Sequence, residues 1–221
     1  AIDSKKTAGQ TLEDVVAQIR GKEGTTVEIE LKTVAGEVKT VRVIRSDIKL
    51  ETVAGEMKNN KIGYIRIGMF NENTGSDFIK KFHELEGQGM EGLVLDLRDN
   101  PGGLLGESVK VAELMVPKGP IVSVTERSGK SVTEYSSLEK VKYPVAVIVN
   151  QGTASAAEIV AGALQDTKAG KLFGTKTFGK GSVQAVSNLD ESTGMKLTIA
   201  RYYTPSGRSI NGTGIEPDVV I

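Results

Sequence analysis

Two short apolar segments, each followed by a turn with glycine and then by a helical repeat, constrain the fold most. The first is Gly92–Leu97, after which Leu105 and Val109 begin a pattern with helical spacing. The second is Val145–Val149, which is followed by a helical pattern over residues 154–166. Strands that are apolar on both faces are typical of parallel strands covered by helices. The sequence therefore predicts an α/β fold with a buried, partly parallel sheet.

The residues before this core have a different pattern. Residues 11–20 show the apolar spacing of an amphipathic helix, residues 27–31 alternate like a half-buried strand, and Thr40–Ile44 reads as a second strand. This pattern predicts a small α+β module at residues 1–46, followed by the larger core at residues 47–221.

The residue types that are absent narrow the chemistry. The chain has no cysteine, which excludes thiol nucleophiles, disulfides and thiolate metal sites. Its one histidine, His83, excludes sites built from several histidines and lies in an amphipathic pattern typical of a helix surface. We therefore expect no metal and no other cofactor. If this chain hydrolyses a substrate through a nucleophile, the base is not expected to be histidine.

The balance of charged residues indicates which classes of binding partner to expect. The chain has 28 basic and 28 acidic residues among 221, so its formal net charge is zero. Nucleic-acid binding favours a basic surface, so we expect no nucleic-acid partner. No run of about 18 apolar residues is present, and no membrane-spanning helix is expected.

A serine at the start of the helix after Val149 is the first candidate functional residue. Within Asn150–Glu158, an apolar strand ends, a turn with glycine follows, and Ser155 opens an alanine-rich helix. A helix N-terminus stabilises negative charge, so this position suits a nucleophile. However, Ser155 and Glu158 also match a capping box, S-x-x-E, which requires no function. The local sequence leaves both interpretations open.

Two further segments supply the other groups that acyl transfer requires. Lys180 lies between two glycines, where a solvated turn lysine is the ordinary interpretation. Gly174–Lys180 matches the start of a P-loop, but Gly181 stands where that motif requires serine or threonine. The turn at Asn100–Gly103 can offer backbone N–H groups to an oxyanion, or it can simply connect a strand to a helix. Together, the three segments contain a nucleophile, a base and N–H donors.

Four segments, taken together, resemble motifs of the C-terminal processing peptidases, the tail-specific serine proteases of family S41. They follow one another in the family's order: Leu95–Leu104, Thr153–Ile159, Lys176–Gln184 and Tyr202–Ile210. With their flanks they cover roughly residues 50–221. Residues 8–25 resemble the second half of a PDZ domain. The resemblance implies a crotonase/ClpP-like β-β-α core preceded by a partial PDZ domain of the α+β class.

The resemblance also implies a role for each residue of the site. The nucleophile falls on Ser155, the base on Lys180, 25 positions later, and the glutamine that orients the lysine on Gln184. A lysine is a base only when neutral, and burial disfavours the charged form of a lysine. We therefore expect a closed, mostly apolar pocket around Lys180. The oxyanion donors fall on the backbone N–H groups of Gly102 or Gly103 and of Ala156.

The wider implications concern substrate, regulation and location. The resemblance implies protein substrates with flexible, apolar C-termini, bound as an extended strand beside the core sheet. It also implies a bacterial-type location outside the cytoplasm and a homo-oligomer formed through parts outside this chain. Arg20, at the end of the PDZ helix, is the candidate for regulatory coupling, although an arginine there can equally complete the helix dipole.

Two other classes of function stay open. One is a catalytically inactive PDZ scaffold that only binds peptides, against which Ser155, Lys180 and Gln184 argue. The other is a crotonase-like acyl-CoA enzyme, which also uses glycine-rich N–H pairs but does not need a serine and a lysine at this spacing.

Overall fold

The computed structural model of this chain describes residues 1–46, 50–188 and 193–221. Two compact units are present, Ala1–Leu50 and Glu51–Ile221. The boundary predicted between residues 46 and 47 borders residues 47–49, which lie outside the described residues. The domain division at 1–46 and 47–221 therefore stays a prediction.

The first unit contains a helix and a hairpin: α1 (Leu12–Ile19), β1 (Thr26–Lys32) and β2 (Val38–Ile44). The strands pair antiparallel, with Thr26 opposite Ile44. This agrees with the helix and strands expected from the apolar spacing. The apolar face of α1 is only partly covered: Val15, Val16 and Ile19 are half-buried, and Leu12 is 74% exposed.

Side-chain hydrogen bonds cap α1 at both ends. At the N-terminus, the Thr11 hydroxyl accepts the N–H of Asp14, whose carboxylate accepts the N–H of Thr11. At the C-terminus, the Arg45 guanidinium donates to the carbonyl groups of Ile19 and Gln18 at 2.7 and 3.2 Å. These contacts satisfy backbone groups that a helix leaves unpaired at its ends.

The second unit holds the larger core. Its elements in chain order are β3 (Val53–Lys58), β4 (Ile62–Ile67), α2 (Thr74–Gly87), β5 (Gly92–Asp96), α3 (Leu105–Glu113), β6 (Gly119–Glu126), β7 (Ser131–Ser136), β8 (Val145–Val149), α4 (Ala156–Asp166), β9 (Gly170–Gly174), β10 (Ser182–Asn188), β11 (Gly194–Tyr203) and β12 (Val219–Val220). None of the helices in the described ranges combines the length and the apolar character needed to cross a membrane.

A mixed sheet forms the centre of this unit, with strand order β12-β9-β8-β5-β4-β3. The pairs from β4 to β12 are parallel, and only β3 runs antiparallel to its neighbour. Helix α2 connects β4 to β5 and α4 connects β8 to β9, which is the crossover that parallel pairs require. Side chains buried on its central strands include Ile65, Leu95, Val147 and Leu172. The predicted α/β class with a partly parallel sheet is confirmed.

A second sheet, entirely antiparallel, has the order β10-β11-β6-β7. Strand β10 pairs with β11, with Ser182 opposite Arg201, and the register shifts between Val183 and Gln184. Such a bulge re-aims the side chains beside it. Strand β10 begins two residues after Lys180, so this sheet holds one end of the loop that contains the candidate base.

Several element boundaries differ from the expectation. The apolar spacing that begins at Leu105 and Val109 continues through Ala112 to Val116 and predicts a helix up to Pro117, but α3 ends at Glu113, and Met115 and Val116 are buried in the turn that follows. The helix expected from Ala154 begins at Ala156, because Ser155 has non-helical backbone angles. His83 lies on the exposed surface of α2, as expected.

Candidate active site

Ser155 occupies a strained turn between strand β8 and helix α4. It is the N-cap of α4, and its backbone angles are φ 57° and ψ −119°. A non-glycine residue at positive φ costs on the order of 1–3 kcal/mol and persists only where its surroundings fix it. Nucleophiles at strand-to-helix turns are held in such strained conformations, which expose the hydroxyl at the helix N-terminus.

The carboxylate of Glu158 fixes this turn and the candidate base together. Its side chain is fully buried. One oxygen accepts the N–H groups of Ser155 and Lys180 at 2.9 and 2.8 Å, and the other accepts the Gly179 N–H at 2.8 Å and the Thr177 hydroxyl at 2.5 Å. The contact with Ser155 is that of a capping box, so the capping interpretation is compatible with a functional site.

Ser155, Lys180 and Gln184 line one cavity of about 340 Å³, together with Gly103 and Ala156. The rest of the cavity wall is mixed, with apolar Leu104, Leu105, Ile159 and Val183 beside polar Ser182 and Lys196. Lys180 is half-buried rather than enclosed. Among the residues that the structure describes, Lys180 Nζ has no hydrogen-bond partner. The three predicted side chains thus line one cavity, whereas the pocket around Lys180 is more open than expected.

The turn at Asn100–Gly103 is held against the nucleophile by a buried amide. The Asn100 side chain donates to the Ile67 carbonyl at 2.9 Å and accepts the Gly102 N–H at 2.9 Å, while its backbone carbonyl accepts the Ala154 N–H at 2.8 Å. The Gly102 N–H is therefore occupied. By contrast, among the described residues no acceptor lies on the N–H of Gly103.

Ala156 is the other candidate donor. It is the first residue of α4, where backbone N–H groups have no partner inside the helix. No acceptor from the residues that the structure describes is bound to its N–H. Gly103 and Ala156 both line the cavity, so two unoccupied N–H groups border the space beside Ser155.

Sequence reasoning missed Tyr202 as a residue of this site. Tyr202, in β11, lies with its hydroxyl 3.1 Å from Ser155 Oγ.

Asp96, at the end of β5, is fully buried and binds the Arg98 guanidinium and the Tyr64 hydroxyl. Burial opposes ionisation of Asp96, but its bonds with Arg98 and Tyr64 hold the pKa of Asp96 below its usual value. The sequence signal for this ion pair was that Asp96 and Arg98 stand two positions apart at the end of an apolar strand.

Arg20 belongs to the first unit, whereas the residues above belong to the second. It is the exposed C-cap residue of α1. The arginine that bonds the carbonyl groups at the end of this helix is Arg45, not Arg20. The coupling role of Arg20 stays a prediction.

Known proteins resemble this chain along its whole length. The carboxyl-terminal-processing protease of Picosynechococcus sp. is 42% identical over all of this chain and 55% of its own length. The chloroplastic C-terminal processing peptidase of Tetradesmus obliquus is 35% identical over 99% of this chain and 51% of its own length. The chain thus spans about half the length of the curated relatives it matches.

The fold has a solved counterpart as well. A structure of a photosystem II D1 C-terminal processing protease superposes with a TM-score of 0.71 and 34% sequence identity, covering all of this chain and 62% of that one. The family model described as peptidase family S41 matches residues 61–221, which contain Ser155, Lys180 and both N–H donors. By this match the chain belongs to peptidase family S41.

Proposed function

We propose that this chain is the peptidase part of a serine endopeptidase that cleaves proteins near their C-terminal tails, with Ser155 as nucleophile and Lys180 as general base. The observation that carries the proposal is the strained position of Ser155 in a cavity that it shares with Lys180 and two unoccupied N–H groups. The names of the relatives support the choice of substrate region.

The mechanism follows from these positions. Neutral Lys180 accepts the hydroxyl proton as Ser155 Oγ attacks the peptide carbonyl carbon, and the carbonyl oxygen becomes an oxyanion between the N–H groups of Gly103 and Ala156. The lysine then gives that proton to the leaving amine, and an ester on Ser155 results. Water, deprotonated by the same lysine, attacks the ester and frees Ser155.

Gln184 is the proposed orienting group for Lys180. It lines the same cavity and follows the bulge in β10. An orienting group acts without exchanging protons, so its loss affects the rate less than loss of the base. Gly102 is proposed to shape the turn rather than to donate, because its N–H is held by Asn100.

The remaining proposals concern the whole protein. We infer that residues 1–46 are part of a PDZ domain and that the core is crotonase/ClpP-like, consistent with the α+β composition of the first unit. We propose protein substrates with flexible, apolar C-termini, which the apolar part of the cavity wall can contact. We also propose a location outside the cytoplasm, regulation through Arg20, and homo-oligomers formed through parts outside this chain.

The test is whether the protein cleaves an unfolded protein and carries its reactive serine at position 155. The full chain is incubated with unfolded casein, and with a fluorophosphonate whose covalent attachment is located by mass spectrometry. We expect fragmentation of casein and labelling at Ser155 alone. Absence of both in a folded sample would refute the peptidase assignment, and turnover of acyl-CoA without cleavage would favour the crotonase-like alternative.

A methyl group at Gly102 is expected to reduce turnover by about 100-fold, because it displaces the turn that carries the Gly103 N–H and so removes one oxyanion contact. Its Cβ would lie 2.6 Å from the Ser155 Cβ and 2.8 Å from the Ala156 nitrogen, and Gly102 has φ +95°. Gly102→Ala must therefore shift the turn away from the nucleophile. The measurement is kcat on unfolded casein together with the melting temperature.

Gly106→Ala is the matched control for this variant. Gly106 lies in α3, and a Cβ there meets no atom within 4 Å. We expect unchanged turnover and a stability gain of up to about 1 kcal/mol from the better helix former. Equal turnover of the two variants would show that the turn does not need close contact with Ser155.

A further inference from the structure

Tyr202 places one hydroxyl between the nucleophile and the backbone of the candidate base. Its side chain is buried, and its phenol oxygen lies 3.1 Å from Ser155 Oγ. The same hydroxyl forms a short hydrogen bond with the backbone carbonyl of Lys180. The backbone N–H of Tyr202 donates to the carbonyl of Gly181 at 3.1 Å, so strand β11 is fixed to the lysine loop at two points.

The two contacts of the phenol can be assigned from proton counting. A phenol has one proton, and the Lys180 carbonyl can only accept. When Tyr202 donates to that carbonyl, the hydroxyl of Ser155 donates to the phenol oxygen. Burial raises the pKa of Tyr202 to about 12, so the phenol keeps its proton at every pH at which peptidases are assayed.

We propose that Tyr202 is a positioning residue of the site, which holds Ser155 Oγ and the Lys180 backbone at a fixed separation. This inference rests on the proposed function of Ser155 and Lys180. Because the phenol neither gains nor loses a proton, it does not replace the lysine as base. For the attack, the Ser155 O–H turns from the Tyr202 oxygen toward the lysine nitrogen and transfers its proton from Oγ to that nitrogen, while Oγ stays in place.

Burial of the ring alone does not require this arrangement. A buried tyrosine needs one partner for its hydroxyl, and the Lys180 carbonyl already provides it. The contact with Ser155 Oγ is therefore additional. It directs the phenol at the atom that forms the acyl bond, whereas the contacts of Glu158 hold the backbone N–H groups of Ser155 and Lys180.

The test compares Tyr202→Phe with Tyr203→Phe in the full chain. Tyr203 is the next residue in β11, so its side chain points to the other face of the sheet. We expect Tyr202→Phe to lower kcat on casein about 10-fold, the effect of one hydrogen bond worth about 1.4 kcal/mol, with little change in KM. Fluorophosphonate labelling of Ser155 should slow by the same factor, whereas Tyr203→Phe should match the wild type in both assays.

A second variant keeps the ring and the hydroxyl, in case Tyr202→Phe does not fold. Incorporation of 3,5-difluorotyrosine at position 202 gives a phenol that loses its proton at lower pH and then cannot donate to Lys180. Labelling of Ser155 should fall as pH rises through that ionisation. The same substitution at Tyr203 should leave the pH profile of labelling unchanged.

The outcomes separate this inference from the proposed function. Wild-type labelling rates in folded Tyr202→Phe, or an unchanged pH profile with difluorotyrosine, would overturn the positioning role. Faster labelling would overturn it too, because Tyr202 would then restrain the serine. If wild-type protein neither cleaves nor labels, the proposed function fails and the role of Tyr202 fails with it.

Discussion

Ser155→Ala and Lys180→Ala are each expected to lower the turnover of unfolded casein by about 10⁴-fold, and the double variant is expected to lose no more. The nucleophile and its base act as one unit, so removal of either leaves the other without a role. What survives is binding and the contribution of the N–H groups of Gly103 and Ala156. The measurement is kcat for the two single variants and the double variant, with folding checked by circular dichroism.

Lys176→Ala is the control for loss of a lysine near this site. Lys176 lies four residues before Lys180, is exposed and pairs with Glu216 at 2.8 Å. Surface ion pairs of this kind contribute about 0–1 kcal/mol, so turnover should match the wild type. Near-wild-type turnover in Lys180→Ala would show that another group is the base, and the same result in Ser155→Ala would place the nucleophile elsewhere.

Glu158→Gln is expected both to destabilise the fold and to reduce turnover. The substitution replaces one carboxylate oxygen with an amide nitrogen, which faces N–H or O–H donors instead of accepting from them. Each buried donor left without an acceptor costs about 1–3 kcal/mol, so the loss of two contacts predicts about 2–6 kcal/mol. The backbone of Ser155 and Lys180 also loses its common anchor. Denaturant unfolding and kcat per folded molecule measure the two effects.

Glu107→Gln separates the two effects of this change. Glu107 is another buried carboxylate, which accepts the Gly75 N–H at 2.8 Å and binds the Lys110 ammonium at 2.7 Å, linking helices α2 and α3. This variant should lose stability and keep its turnover per folded molecule. If Glu158→Gln behaved in the same way, Glu158 would serve the fold and not the geometry of the nucleophile.

The centre of the main sheet was predictable because β5 and β8 are apolar on both faces. Strand β8 has the bounds of its apolar run, Val145–Val149. Strand β7 was missed because Ser131–Ser136 is mostly polar and its pairing with β6, not burial, defines it. The two-residue strand β12 is too short to show a periodic pattern of apolar residues in the sequence.

The candidate site was only partly predictable, for a physical reason. The pairing of Ser155 with Glu158 is local, so a capping box is visible in the sequence. The other donors to Glu158 come from residues 177–180, about twenty positions later, and only the folded chain brings them together. The contacts of Asn100 and Tyr202 depend in the same way on strand neighbours, and the openness of the cavity around Lys180 depends on packing.

The hydrogen bonds of Glu158 have a consequence for determining the structure of a complex with a peptide. Glu158 holds Ser155 and Lys180 through their main-chain N–H groups, which every substitution except proline retains. An alanine at position 155 thus removes reactivity without loosening the loop that carries it. Crystals of the Ser155→Ala variant could be soaked or grown with an intact peptide. They would retain the native peptide-binding surface and show which peptide bond lies beside residue 155.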